Sequence, residues 1–537
     1  MNHSPHDTAR GGKKTPKNRR QPAADPREPM AVIDIGSTSI RLIIAEVDIG
    51  SGGLRIIESL QQSVGIGRDT FTKGTIEKAT IEESVGALRH FLQVVREHGF
   101  ADNRRIRVVA TTAVREAANR EAFRDRVNIA CGWQVEILDL ADIARLTYLG
   151  FRPFLDRKEF TPSSDLLVVE MGGGTTEVYY IGHSNRAFSQ TFNIGALRLR
   201  QAADSYKLPL ARQQALLDQN IMRFVERIAA DLRYKKEFAV VALGGEMRFA
   251  AAELVPEWDG ITPVLLPFPD LKAYADRIAE MPVDKIVKKC RIAYPDAETL
   301  APALLFHTHL VRRLGKKSLI VASTTMRHGI LMEMAGYGEG EDRFRRIILG
   351  AAEELAARYH SDIPHVKHVA GLAEVLFDAL ADEHQLKASD RLLLSVAALL
   401  HDIGLFVGPR NHHKHSMYLI RNSDVFGLNR HDIELVSLIA RYHRRSPPRP
   451  THSEYMTLDF SDRIVVAKLS AILRLADALD HTHSGRIGEI RCAVQKGRLM
   501  ITVPGVEDMS LEEISLQSKG SLFEDVYGMR PVIQAEG

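Results

Sequence analysis

The chain has 537 residues, of which 45% are hydrophobic and 26% are charged, and its formal net charge at pH 7 is +3. This length exceeds what one hydrophobic core supports, so several domains are expected. The near-neutral charge argues against a specific nucleic-acid-binding protein, and no apolar run reaches the roughly 18 residues that a membrane span requires. Three widely separated cysteines are typical of a reducing compartment, so the predicted location is the cytoplasm.

The pattern of the chain changes four times. Residues 1–29 are polar and rich in Pro, Lys and Arg, which predicts a disordered basic tail. Strand and helix patterns alternate over 30–152 and again over 165–338, which predicts two α/β lobes. Helical periodicity dominates 341–484, and strand-like alternation returns in 485–537. We therefore expect an α/β body followed by an all-α domain and a small α+β unit.

Three glycine-rich turns follow apolar strands in the two predicted lobes. They lie in AVIDIGSTSIRLIIAEV (31–47), VVEMGGGTTEVYYI (168–181) and AVVALGGEMRFAAA (239–252). The first two are strand–turn–strand patterns with an acid, Asp34 or Glu170, on the strand just before the turn. Glycine lets the backbone approach a ligand closely, and converging N–H groups favour an anion. The repetition predicts a phosphate site shared by the two lobes.

The helical segment carries histidines and aspartates outside those loops. His365 opens one helix pattern, His401 and Asp402 end the apolar run Leu392–Leu400, and Asp477 lies in LRLADALD. Imidazole and carboxylate together suit Mn²⁺, Fe²⁺ or Zn²⁺. The alternative is a buried polar network without a metal. His412, His413 and His415 are also metal-like, but a solvent-exposed loop is the preferred interpretation for His412 and His413.

Taken together, these segments resemble the exopolyphosphatase and guanosine pentaphosphate phosphohydrolase family of the actin-like ATPase superfamily. The N-terminal segments that carry the resemblance are AVIDIGSTSIRLII, ATTAVREAAN, VVEMGGGTTEV and ASTTMRHGIL. The C-terminal ones are HVAGLAEVLFDAL, ALLHDIG, HHKHSMYLI and ARYHRR. The resemblance covers nearly the whole chain from Met30 onwards. It implies a two-lobed actin-like (ribonuclease H-like) α/β body, a helical HD domain and a small α+β unit.

The resemblance also implies a reaction, namely release of terminal phosphate from inorganic polyphosphate and from guanosine pentaphosphate. It implies a homodimer, and Mg²⁺ in the cleft with Asp34 as a ligand. The residues that match the family's phosphate-binding positions are Gly36, Ser37, Thr38, Arg115, Gly172, Gly173, Gly174 and Thr175.

The sequence departs from the family pattern at the carboxylate that handles the attacking water. The family has Glu immediately before Ala-Arg-Leu, whereas this chain has Ile143, which cannot accept a proton. Asp142 is one residue away but rotated by roughly 100° on a helix. Glu170 is therefore the candidate catalytic residue. Three possibilities stay open: Glu170 acts on the water, Asp142 does, or the cleft binds without hydrolysis.

The order His…His-Asp…Asp in the helical segment resembles the HD-domain metal phosphohydrolases. It implies a metal site formed by His365, His401, Asp402 and Asp477, with Mn²⁺, Fe²⁺ or Zn²⁺. His415 and His443 occupy spacings at which some HD proteins bind a second metal ion. Two alternatives to cleft hydrolysis follow. One is an HD-type hydrolase with a degenerate cleft, and the other is a sensor that binds polyphosphate or nucleotide without cleaving it.

Overall fold

The structure is a computed structural model. It describes residues 28–48, 53–101, 103–155, 165–182, 187–204, 209–232, 237–336, 342–506 and 508–536. The predicted basic tail, except for its last two residues, therefore lies outside the described residues, as do residues 337–341 between the second lobe and the helical part. No helix in the described ranges is both long and apolar enough to cross a membrane.

The first lobe is a five-stranded sheet with helices packed on it. Its strands are β1 (Met30–Ile35), β2 (Ser39–Asp48), β3 (Gly53–Ser63), β4 (Ile106–Ala110) and β5 (Val135–Ile137). Its helices are α1 (Ile66–Lys73), α2 (Lys78–Glu97), α3 (Thr112–Glu116), α4 (Arg120–Cys131) and α5 (Leu140–Leu155), with a 3₁₀ turn at Asn103–Arg105. The strand order is β3-β2-β1-β4-β5. The first three strands are antiparallel, and β4 and β5 continue the sheet in parallel with β1.

The second lobe repeats this arrangement in a six-stranded sheet. Its strands are β6 (Asp165–Met171), β7 (Thr176–Ile181), β8 (Ala187–Phe192), β9 (Phe238–Leu243), β10 (Val264–Pro267) and β11 (Ser318–Val321). Its helices are α6 (Ala196–Asp204), α7 (Leu210–Asp231), α8 (Gly245–Leu254), α9 (Phe268–Ala279), α10 (Val283–Cys290), α11 (Tyr294–Arg313) and α12 (Met326–Met334). The strand order is β10-β11-β9-β6-β7-β8. In both lobes an antiparallel hairpin is followed by a parallel strand on its other side. The two equivalent hairpins carry the two glycine loops.

Helices α5 and α12 cross at the boundary between the lobes. A Cβ atom at Gly329 would lie only 1.7 Å from the backbone oxygen of Leu146, so the crossing requires glycine there. Although α12 falls inside the range predicted for the second lobe, its Ile330 and Leu331 pack with Val32 of the first lobe. This crossing brings the N-terminus of α12 to the glycine loops.

The helical part and the C-terminal unit follow. The helices are α13 (Asp342–Arg358), α14 (Ile363–Ala379), α15 (Ala381–His384), α16 (Ala388–Leu400), α17 (His412–Arg421), α18 (Arg430–Arg441), α19 (Ser453–Met456) and α20 (Phe460–Leu479), with a 3₁₀ turn at Ile403–Phe406. The C-terminal unit contains β12 (Arg491–Gln495), β13 (Arg498–Val503), α21 (Ser510–Lys519), α22 (Ser521–Tyr527) and β14 (Arg530–Ala535). Helix α20 packs against α14, α18, α21 and α22. One continuous core therefore joins the helical part to the C-terminal unit.

Candidate phosphate cleft and candidate metal centre

A cleft with a volume of about 150 Å³ lies between the lobes, where strands β1 and β6 end. The predicted residues that line it are Asp34, Gly36, Ser37, Thr38, Glu170, Gly172, Gly173, Gly174 and Thr175. Both loops close with the same hydrogen bond. The Gly36 N–H donates to the Ser39 carbonyl at 3.0 Å, and the Gly172 N–H donates to the Thr175 carbonyl at 2.8 Å. The two loops thus close in the same way on opposite sides of one cleft.

The two loops touch across the cleft. A Cβ atom at Gly173 would lie 2.9 Å from the Cβ of Ser37, so a side chain at Gly173 would push the lobes apart. A hydroxyl pair, Thr112 and Thr175, also links the lobes, with 3.3 Å between the two Oγ1 atoms. The sequence places glycine where the backbones come closest.

Three arginines from different elements face the loops: Arg41 on β2, Arg248 on α8 and Arg327 on α12. Nη1 of Arg248 is buried and has no hydrogen-bond partner among the described residues, and Nη1 of Arg327 lies 3.5 Å from Oδ2 of Asp34. Burial lowers the pKa of Arg248, and it lowers the pKa of Arg327 to about 10. Guanidinium groups that are penalised by burial and short of partners favour an anionic ligand.

Two glutamates lie on the floor of the cleft. Burial raises the pKa of Glu170, Arg248 opposes that shift, and Asp34 adds to it. Glu177, on β7, was not identified from the sequence. Burial and the neighbouring Glu170 raise the pKa of Glu177 to about 7. Glu177 pairs with Glu170 across the β6–β7 hairpin, so the register of this hairpin was the signal that could have identified it. The cleft therefore holds two neighbouring carboxyl groups whose pKa values are both raised by burial.

Ile143 and Asp142 lie in different positions relative to the cleft. Ile143 lines the cleft, yet its side chain is buried against Leu146 and Ile330. Asp142 is not among the lining residues. Its N–H donates to Oδ1 of Asp139, and burial together with Asp139 raises the pKa of Asp142 to about 6. Asp142 thus points away from the cleft, as its rotation on the helix predicts.

Arg115 was predicted to contact phosphate, but it lies behind the cleft wall. Its Nη1 donates to the Leu138 carbonyl at 2.7 Å, and its Nη2 donates to the Thr112 hydroxyl at 3.1 Å. Thr112 lines the cleft, whereas Arg115 does not. A direct phosphate contact by Arg115 stays a prediction.

A second group of polar residues is buried in the helical part. His365 on α14, His401 after α16 and Asp477 on α20 form one group of potential metal ligands, and Asp402 forms another with His365 and His483. Nε2 of His365 lies 4.0 Å from Oδ1 of Asp477, and Nε2 of His401 lies 3.9 Å from the same oxygen. Nδ1 of His365 lies 2.7 Å from Oδ2 of Asp480, and Nδ1 of His401 donates to the Ala398 carbonyl at 2.7 Å. Nε2 of each ring is left without a hydrogen-bond partner among the described residues.

A third group shares Asp402 with the second. Nε2 of His412 lies 3.2 Å and Nε2 of His443 lies 3.8 Å from Oδ1 of Asp402. Nδ1 of His443 donates to the Ala440 carbonyl at 2.6 Å, so its Nε2 also faces inward. His412 is buried, which corrects the preference for a solvent-exposed loop, and His413 is buried as well. His412, and not His415, joins His443 in this group.

Electrostatics match the geometry of these groups. Burial alone would raise the pKa of Asp402, but His401, His412 and His443 hold it well below its usual range. Burial would likewise raise the pKa of Asp477, and Lys519 and His401 lower it. Burial lowers the pKa of His443 to about 3, so this imidazole is neutral. Carboxylate oxygens and imidazole nitrogens are the donor set of a divalent metal site, so these residues could hold a metal ion.

Two protein-family models match this chain. The model of the Ppx/GppA phosphatase family matches residues 30–337, and that of Ppx/GppA phosphatase domain III matches residues 349–519. The chain belongs to the Ppx/GppA phosphatase family. The matched ranges include every residue of the cleft and of the helical groups that is discussed above.

Relatives and a solved structure agree with this placement. A guanosine-5'-triphosphate,3'-diphosphate pyrophosphatase of Pseudoalteromonas translucida is 23% identical over 419 residues, which are 77% of this chain and 80% of that protein. One of the same name from Aeromonas hydrophila subsp. hydrophila is 25% identical over 418 residues, 76% of this chain and 79% of that protein. The crystal structure of an exopolyphosphatase from Cytophaga hutchinsonii superposes with a TM-score of 0.50 at 18% identity. It covers 58% of this chain and 100% of that one, and it supports the fold.

Proposed function

We propose that this chain releases terminal phosphate from inorganic polyphosphate, and secondarily from guanosine pentaphosphate, in the cleft between the lobes. The observation that carries the proposal is the pair of matched glycine loops, which face each other across one cleft. Membership in a phosphatase family and the names of the relatives support a hydrolase acting on such substrates.

The residues of the cleft suit the reaction. Backbone N–H groups of the loops and the guanidiniums of Arg41, Arg248 and Arg327 would hold the charge of the terminal phosphoryl group. Water would attack the phosphorus from the floor of the cleft. Glu170 is the candidate that orients and deprotonates this water. The raised pKa of Glu177 provides a neighbouring proton acceptor near neutral pH.

A Mg²⁺ ion fits the cleft at Asp34. Oδ1 of Asp34 is buried and has no hydrogen-bond partner among the described residues, so it can accept a cation or a water bound to one. When bound, Mg²⁺ would neutralise charge on the phosphate oxygens. The groups of potential metal ligands found among the described residues all lie in the helical part, so Asp34 would hold Mg²⁺ with waters and substrate oxygens.

Glu170→Gln and Glu177→Gln test this proposal. Phosphate release from long-chain polyphosphate with Mg²⁺ is measured for both variants, with Glu257→Gln as the control at an exposed position. A loss of roughly 100-fold in kcat for Glu170→Gln with an unchanged control supports Glu170 as the residue that handles the water. Unchanged rates in both variants would remove these carboxylates from the mechanism.

A second candidate function rests on the helical part. We propose that this part is an HD domain in which His365, His401, Asp402 and Asp477 hold one metal ion, and Asp402, His412 and His443 hold a second. The unpartnered Nε2 atoms of His365 and His401 fit this assignment. Mn²⁺, Fe²⁺ or Zn²⁺ would supply Lewis acidity for hydrolysis of a phosphate ester or nucleotide. Elemental analysis of the purified protein, with no stoichiometric metal found, would contradict it.

We propose a non-catalytic sensor as an alternative, because Ile143 cannot act on water. This alternative requires that polyphosphate or nucleotide stabilises the protein against thermal unfolding without being hydrolysed.

We also propose that the protein is a homodimer in the cytoplasm. Light scattering measures the mass of the particle directly and tests the dimer.

A further inference from the structure

Two basic side chains lie against the ligand groups of the helical part. Nζ of Lys519 is 2.6 Å from Oδ2 of Asp477. Nη1 of Arg444 is 3.3 Å from Nε2 and 3.4 Å from Nδ1 of His412. Each cation therefore lies beside one of the two groups, Lys519 at the first and Arg444 at the second.

Lys519 reaches the centre from another unit of the fold. It is the last residue of α21, which packs on α20, the helix that carries Asp477. Buried Leu516 fixes this helix in the common core. At the other end, the Arg486 guanidinium pairs with buried Glu512 at 2.6 Å. The position of Lys519 is thus set by packing and not by a free tail.

The contact leaves the metal-facing oxygen of Asp477 available. Lys519 takes Oδ2, while Oδ1 is the oxygen that faces His365 and His401. An ammonium group has three N–H donors, and the described contacts of Nζ are both to Asp477, at Oδ2 and, at 3.5 Å, the carbonyl. At least one donor therefore remains for a ligand.

We propose that Lys519 and Arg444 bind the non-bridging oxygens of a phosphate group at the metal centre, which makes the C-terminal unit part of that site. The ligand class is a phosphate monoester or inorganic phosphate. The ammonium of Lys519 at one ligand group and the planar guanidinium of Arg444 at the other provide complementary contacts to phosphate oxygens. This inference rests on the second candidate function.

The test separates metal binding from phosphate binding. Calorimetry measures the affinity of the full chain for Mn²⁺, and then the affinity of the Mn²⁺-loaded protein for inorganic phosphate. The variants are Lys519→Ala, Lys519→Arg and Arg444→Ala. Matched controls are the exposed arginines of the same regions, Arg498→Ala and Arg449→Ala.

We expect Lys519→Ala and Arg444→Ala each to weaken phosphate binding roughly tenfold, with Mn²⁺ affinity unchanged within about threefold. Lys519→Arg should restore part of the phosphate affinity, and both controls should match the wild type. Thermal unfolding checks that each variant is folded. Because Arg444 and Lys519 lie on different elements, Arg444→Ala and Lys519→Gln carry the test if Lys519→Ala is unstable.

Three results would overturn the inference. Unchanged phosphate affinity in folded variants that bind Mn²⁺ would overturn it while leaving the metal site intact. A large gain of Mn²⁺ affinity in Lys519→Ala without loss of phosphate would show that the ammonium only substitutes for a metal. Absence of Mn²⁺ binding in the wild type would remove the second candidate function, and this inference with it.

Discussion

The cleft between the lobes and the proposed metal centre of the helical part are built in opposite ways. In the cleft, the best-defined features are backbone features: two closed turns, and glycines where the lobes touch. In the helical centre, the best-defined features are side chains, because His365, His401 and His443 are each held through Nδ1.

This difference predicts which substitutions each site tolerates. A backbone site keeps its shape when one side chain is lost, so Ile143 can occupy the position at which the family resemblance predicts a carboxylate without disturbing the loops. A side-chain centre depends on every donor, because a buried carboxylate or imidazole without its partner is costly. We therefore expect the cleft to respond to changes in charge and the helical centre to respond to single deletions.

Introducing a carboxylate at position 143 should have the largest effect. If the cleft lacks only a well-placed base, Ile143→Glu should raise phosphate release from polyphosphate by about 10²-fold. Because Ile143 is packed in an apolar cluster, the change should also cost about 1–3 kcal/mol of stability. A phosphate-release assay and thermal unfolding measure the two effects.

Ile143→Gln is the matched control for this change. It adds similar volume and polarity without a base, so its rate should stay at the wild-type level. Equal rates for the Glu and Gln variants would contradict this prediction, because they would show that a carboxylate at position 143 adds nothing to the action of Glu170 on the water.

Deleting the carboxylate shared by both helical groups should be the next largest effect. Asp402→Ala removes an oxygen that faces His401, His412 and His443. We expect metal content to fall to background in elemental analysis. His415→Ala is the control on the same helix as His412, and it should keep its metal because His415 belongs to none of the ligand groups found. Metal retained by Asp402→Ala would contradict the claim that the helical centre depends on each of its donors.

A smaller effect is expected for Asp480, which contacts the proposed metal ligand His365. Asp480 lies 2.7 Å from Nδ1 of His365 and accepts the Gly485 N–H at 2.8 Å. Asp480→Asn should weaken Mn²⁺ binding roughly 10-fold, because the ring loses its charged partner but keeps its position. An unchanged Mn²⁺ affinity would show that His365 needs no such support.

The smallest effect concerns pH and Glu177. Its pKa is raised to about 7 from 4.5, so the folded protein binds a proton that the unfolded chain releases between these values. Stability linked to Glu177 is therefore full below pH 4.5 and is lost as the pH rises through 7. Glu177→Gln should unfold like the wild type at pH 4.5 and be about 1–2 kcal/mol more stable at pH 8. Equal stabilities at pH 8 would contradict this assignment.

The sequence predicted the elements that depend on local pattern. Both glycine-loop hairpins agree with the structure. His365, His401 and Asp477, which the family resemblance brings together with Asp402, also lie in one group. Three features depend on the packing of distant elements and could not be read locally. Arg115 bonds to the Leu138 carbonyl, His412 faces the centre in place of His415, and Lys519 reaches Asp477 from another unit. Which turn of a helix faces a site is decided by its neighbours.

The most direct test of the central claim is phosphate release from long-chain polyphosphate by wild type and Asp402→Ala, each with Mg²⁺ and with Mn²⁺. Our account predicts equal Mg²⁺-dependent release by both proteins, because the cleft hydrolyses polyphosphate and the helical centre does not. Release by the wild type alone, with Asp402→Ala shown to be folded, would contradict it and place the reaction at the helical centre.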